Sequence, residues 1–119
     1  MVEILVSQSE RLDQLAPPAV YTVVASRSHM SPETEQLIQG YRDKYGAVNL
    51  ISKGSSLKIC LVAEGSAHVY PRLAPTMEWD TAAGHAIARF AGKNVSLYVS
   101  GIPMTYNKEN LLNEWFVVA

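Results

Sequence analysis

The sequence predicts an α/β fold, with a mostly buried sheet flanked by helices. Short β-branched runs, YTVVA at 21–25 and AVNLI at 47–51, alternate with stretches of helical character, the pattern of layered α/β domains. The stretch LKICLVAE (57–64) is apolar nearly all round, so it is expected to be a buried helix. The strands are hydrophobic runs rather than strict alternations, which suits a sheet covered on both faces.

Taken in order, Val2 to Val6 reads as a strand, and SQSERLDQLAPPA as a polar loop closed by Pro17 and Pro18. Tyr21 to Ala25 is a second strand. SRSHMS is a turn, after which Ser31 is placed to cap a helix and Pro32 to open it. Leu37, Ile38, Tyr41 and Tyr45 give that helix one apolar face, and Gly46 is its natural stop. The 47–51 strand and a KGSS turn lead into the buried helix, with Lys58 the exception to its apolar surface and Gly65 its end. AHVYPR (67–72) is a strand, LAPTME a loop, and Asp80 to Ala91 a helix rich in small residues, closed by Gly92. Residues 95–99 and 115–118 are the last two strands. No repeat or linker divides residues 1–119, which read as one domain.

Composition narrows the function classes. The chain is 48% hydrophobic and 18% charged, and ten basic against eleven acidic residues leave a net charge of −1. That balance implies neither a nucleic-acid polymer nor an anionic membrane as partner, but a local cationic site for a small anion is compatible with it. Cys60 is the only cysteine, so no disulfide forms within the chain, and its place in ICLVA reads as a buried, inert thiol. No signal peptide and no membrane-spanning run is apparent, so a cytoplasmic protein is expected.

Three polar turns sit at element ends, where open α/β sheets carry their ligands. In GSSLK, Gly54 allows close backbone approach, Ser55 and Ser56 add hydroxyls, and Lys58 adds a cation. The same residues also serve as a turn glycine, a helix cap and a surface lysine. In SRSH, Ser26, Ser28 and His29 are either ligand donors or members of a hydrogen-bonded turn. Arg72, at a strand end, either forks onto a phosphate or is solvated. Asp80, ahead of Thr81, Ala82, Ala83 and Gly84, is either a helix cap or a ligand for a hard cation. The other acids show no cluster, and His68 and His85 have no partners at metal spacing.

The ordered set SRSH, GSSLK, LVAEG, VYPR, WDTAAGH and YNKENLLN-E-WF resembles the C-terminal half of the 3′(2′),5′-bisphosphate nucleotidases of the CysQ type. These are a branch of the lithium-sensitive, magnesium-dependent inositol monophosphatase superfamily. WD-x-AAG marks the superfamily. SRSH, the lysine of GSSLK and the arginine of YPR favour the nucleotidase branch, since inositol monophosphatases have GSAAL at the second place.

The resemblance implies hydrolysis of the 3′-phosphate of adenosine 3′,5′-bisphosphate to AMP and phosphate, an activity tied to sulfur assimilation. It implies that Ser26 and His29 contact the nucleotide, that Gly54, Ser55, Lys58 and Arg72 hold its phosphate, and that Asp80 binds one Mg²⁺. It also implies an α/β lobe that is half of a two-lobe sandwich. The family's N-terminal lobe carries a glutamate and a D-P-x-D-G-T motif that supply most metal ligands, and neither occurs in 1–119. Glu114 stands where the family usually has proline.

Residues 1–119 are therefore expected to be the C-terminal lobe, with an incomplete Mg²⁺ site and little activity alone. An exposed lobe face is expected to favour self-association. Competing readings are a non-catalytic binder of adenine nucleotides, an inositol monophosphatase-type lobe, and a fragment that oligomerises without ligand.

Overall fold

The structure, a computed structural model, describes residues 19–25, 30–52 and 57–119. The expected strand at 2–6 and loop at 7–19 fall almost wholly outside this set, as do Ser26, His29, Gly54 and Ser55. Five strands and three helices are described: β1 (Tyr21–Val24), α1 (Pro32–Tyr45), β2 (Val48–Ile51), α2 (Leu57–Ala63), β3 (Tyr70–Arg72), α3 (Glu78–Phe90), β4 (Val95–Leu97) and β5 (Phe116–Val118).

β1 and β2 pair in parallel, Tyr21 opposite Val48 and Val24 opposite Ile51. β5 lies between β3 and β4, antiparallel to both. The two sheets join where Val23 bridges Val69 in parallel, just before β3. His68 N donates to Thr22 O at 2.8 Å and Val24 N to Val69 O at 2.9 Å across that seam. β1, β2 and β3 thus run the same way.

Alternating side chains divide between two cores, as strand geometry requires. Val23, Ala25 and Val69 pack with Ile38 of α1. Val24, Tyr70, Val95, Phe116 and Val118 pack with Ile59, Val62 and Ala63 of α2 and Ala88 of α3. The result is three layers, α1 on one face and α2 with α3 on the other.

Local chemistry explains the helix ends. Ser31 Oγ accepts from Thr34 N at 3.2 Å, Pro32 opens α1, and Gly46 (φ +81°) closes it with its N–H on Arg42 O. Thr34 and Ile38 are the buried residues of α1. Tyr45 is exposed but still stacks on Tyr21 at a ring separation of 3.9 Å.

Two expectations about helices need correction. Lys58 does not break the buried surface of α2: it is itself buried at 6% exposure, whereas Leu57 is 59% exposed. Asp80 is not a cap, because α3 starts at Glu78 with Met77 before it. Asp80 is the third helical residue, and its Oδ2 accepts the Met77 N–H at 2.9 Å. That is the reach-back half of a capping box, so the carboxylate still satisfies an orphan donor, from inside the helix. Cys60 is half-buried rather than buried; burial, then Glu64, pushes its thiol pKa up.

The small residues of α3 have a clear use. A Cβ on Gly84 would stand 3.0 Å from Ile59 Cδ1 and 3.3 Å from Ile59 Cβ. Glycine lets α2 and α3 approach at this crossing more closely than any other residue would.

Candidate functional site: a cationic edge beside a lone carboxylate

Because β1, β2 and β3 run the same way, Arg72, the last residue of β3, stands at the carboxyl edge of these strands. Lys58 enters from the first turn of α2. Its Nζ lies 5.9 Å from the centre of the Tyr70 ring, within cation–π reach. Burial, and then the nearby Arg72 guanidinium, lower the Lys58 pKa. Tyr70 is buried, which raises its phenol pKa while Arg72 pulls the other way.

The charges around Tyr70 are unbalanced. Among the described residues the one ion pair is Lys108–Glu78, so neither Lys58 nor Arg72 meets a carboxylate there. Arg72 Nε is buried without a hydrogen-bond partner. Its Nη2 makes one long contact, 3.4 Å to Pro75 O. Lys58 and Arg72 are thus two cations beside Tyr70, one with a buried donor unused among the described residues. A guanidinium fork and an ammonium suit phosphate oxygens.

Asp80 stands at the solvent-exposed start of α3. One of its oxygens holds the Met77 N–H, and a carboxylate has a second oxygen to offer a hard cation. Among the described residues no group of three or more His, Cys, Asp and Glu could hold a metal. The donor set fits a contribution of one ligand.

Sequence spacing missed the residues that hold this turn in place. Glu78, one of the unclustered acids, is 8% exposed. Its carboxylate accepts from Asn107 N at 2.7 Å, from Lys108 N at 3.4 Å and from Lys108 Nζ. The Lys108 bond, foremost, holds the Glu78 pKa below its usual value. Asn107 turns the loop with φ +61°, a conformation asparagine tolerates.

His85 is also occupied. Its Nδ1 pairs with Tyr106 Oη at 2.7 Å, and that hydroxyl donates to Thr81 Oγ1 at 3.3 Å. Burial, then Arg89, lowers the His85 pKa. Asn113, 4% exposed, donates from Nδ2 to Thr76 Oγ1, Met77 O and Thr81 Oγ1 at 3.0–3.1 Å. The only local signal for these partners is that they fall in WDTAAGH and YNKENLLN, whose meeting is a tertiary event.

The described elements define an α/β/α layered domain, a class whose ligands commonly sit at strand ends. Comparison with known proteins narrows that class. The inositol monophosphatase family model matches residues 3–115, and the chain belongs to that family.

It is 48% identical over 98 residues to the 3′(2′),5′-bisphosphate nucleotidase CysQ of Escherichia coli K12, covering 82% of this chain and 38% of that protein. It superposes on the crystal structure of CysQ from Bacteroides thetaiotaomicron with a TM-score of 0.82 and 60% identity, over 87% of this chain and 38% of that one. An inositol monophosphatase from Staphylococcus aureus shares the fold at TM-score 0.67 and 18% identity, over 88% of this chain and 37% of that one. The chain thus spans well under half the length of these relatives. No helix among the described residues is long and apolar enough to cross a membrane.

Proposed function

We propose that this chain forms the nucleotide-binding part of a 3′(2′),5′-bisphosphate nucleotidase, which hydrolyses the 3′-phosphate of adenosine 3′,5′-bisphosphate to AMP and phosphate. The observation that carries the reading is the pair Lys58 and Arg72, buried or half-buried around Tyr70 without a carboxylate partner among the described residues. The identity to CysQ proteins supports the same reading.

In this reading Lys58 and Arg72 bind oxygens of the nucleotide phosphate that remains in AMP, and so orient the substrate. By the likeness to the CysQ proteins, Gly54 and Ser55 would hold the same phosphate, and Ser26 and His29 would contact the nucleotide. Asp80 would hold one Mg²⁺, which when bound activates water and neutralises charge on the phosphoryl oxygens. Clearing the bisphosphate would serve sulfur assimilation.

Calorimetric titration of AMP into the chain tests the reading. Lys58→Ala and Arg72→Ala are each expected to weaken binding by about tenfold, the worth of one charge-assisted hydrogen bond. An unchanged isotherm in both variants would remove the cationic edge from the site.

A second reading, nucleotide binding without turnover by the 119-residue chain alone, is favoured because no group of three or more His, Cys, Asp and Glu among the described residues could hold a metal. Negligible Mg²⁺-dependent phosphate release is therefore expected from the chain alone. Robust release that vanishes in Asp80→Ala would overturn this second reading. Trp79, Leu111 and Leu112 are exposed on the segments that carry and flank Asp80. They suit a face where the remaining lobe, or a second copy, would pack, and light scattering against concentration reads out the latter.

A further inference from the structure

The hydrogen-bond network beneath Asp80 has a centre that no function described so far uses. The Asp80 carboxylate is aimed by one bond, Met77 N–H to Oδ2 at 2.9 Å. Its direction therefore depends on how the peptides on either side of Met77 are held.

That hold comes from residues 111–113. Asn113 N donates to Thr76 O at 2.8 Å, and Glu78 N donates to Leu111 O at 2.9 Å. Met77 bridges Leu112 in antiparallel fashion. The Asn113 side chain then reaches to both sides of the Met77 peptide. Its Nδ2 reaches Thr76 Oγ1 at 3.1 Å before Met77, Met77 O itself at 3.0 Å, and Thr81 Oγ1 at 3.0 Å beyond Asp80.

Asn113 Oδ1, by contrast, is buried with no partner. An unsatisfied buried acceptor is unfavourable, so the side chain sits where its donors, and not its own balance, require it.

We propose that Asn113 is a positioning residue for the Asp80 carboxylate. It acts through the Met77 peptide, from 33 positions away in the sequence, and touches neither the carboxylate nor the anion-binding edge. Glu78 serves the same turn from the outside by fastening Asn107 and Lys108. Asn113 works inside it, as the shared donor to three of the residues that frame the carboxylate. The inference rests on the reading of Asp80 as a metal ligand only in its functional consequence, because the geometry it asserts is independent of any metal.

The test has one arm for the geometry and one for its consequence. Hydrogen exchange followed by NMR on the 119-residue chain reads the Met77 N–H directly. Asn113→Ala is expected to speed exchange at Met77 by about tenfold relative to core amides such as Val117, the effect of losing a buried hydrogen-bond frame. Asn113→Asp keeps the size and, at neutral pH, loses the donors, so it is expected to behave like Ala. Thr76→Val removes one of the three acceptors and is expected to give about a threefold change, which serves if the Asn113 variants do not fold.

Paramagnetic broadening by Mn²⁺ around Asp80 is the second arm. Asn113→Ala is expected to weaken it, whereas Ile38→Val, a mild destabilisation in α1, is expected to leave it intact. Unchanged Met77 protection in Asn113→Asp, or in Thr76→Val should neither Asn113 variant fold, overturns the positioning role. Broadening that persists in Asp80→Ala overturns the metal-ligand reading and leaves the positioning role to the exchange data.

Discussion

At the amino ends of β1 and β2 the molecule is built from stacked rings, and at the end of β3 and the start of α2 it carries charges. Tyr21 lies between Tyr45, at 3.9 Å and 10° from parallel, and His68, at 4.7 Å and 21°. The polar atoms of that end are accommodated: His68 Nδ1 accepts the Thr22 N–H at 2.9 Å, and Tyr41 leans on Tyr21 from α1. At the other end Lys58 is buried beside Tyr70 and Arg72 keeps a buried N–H unused. At the first end His68 and Thr22 pair with each other, whereas at the second Lys58 and Arg72 meet no carboxylate among the described residues. Frustration of this kind is expected where a protein trades stability for binding.

The largest effect expected from this contrast is on the aromatic end. Tyr21→Ala removes the middle ring of the stack and is expected to lower unfolding free energy in urea by about 2–3 kcal/mol, with AMP affinity retained. A matching loss of affinity would mean that the two ends are coupled.

The next effect has the opposite sign. Lys58→Met keeps the apolar stem and removes a charge whose pKa burial has already lowered. A lowered folded pKa means that the charged form destabilises the fold at all pH values below the usual lysine range. The variant is therefore expected to gain about 1 kcal/mol of stability while binding AMP more weakly. A loss on both counts would make Lys58 an ordinary structural residue.

The smallest effect is on pH dependence. Burial, then Lys93, lowers the His68 pKa, and its Nδ1 must be unprotonated to accept from Thr22. The unfolded chain then takes up protons first as pH falls through about 6.5, so stability is flat above that value and declines below it. His85 acts in the same direction. The melting temperature is expected to fall by about 2–4 °C between roughly pH 7.5 and 5.5. His68→Asn, which offers an oxygen in place of Nδ1, should keep only the His85 share of that fall. A full decline in His68→Asn would locate the titration elsewhere.

Much of the scaffold was legible because its signals are local. Ser31-Pro32 and Gly46 bracket α1 as the sequence suggested, and the β-branched runs at 21–25 and 47–51 became the parallel pair. The strand expected over 67–72 is shorter, since Ala67 to Val69 spend their hydrogen bonds on α2 and β1 before β3 begins.

The start of α3 was misplaced by two residues because Met77 offers no capping side chain. Asp80, the obvious candidate, reaches back from the third position instead. Glu78 and Asn113 were invisible for a different reason. Their partners lie about 30 or more residues away, and no spacing rule reports a contact made by folding. Lys58 was recognised as an oddity, but its burial depends on Tyr70 and could not be read from α2 alone.

The contact between Gly84 and Ile59 has a consequence for dimensions. Gly84 lies one turn after Asp80 on the same face of α3, and Ile59 is the neighbour of Lys58 on α2. The missing methyl at Gly84 leaves the room that Ile59 occupies. Adding a single carbon there would press on the turn of α2 that also carries Lys58.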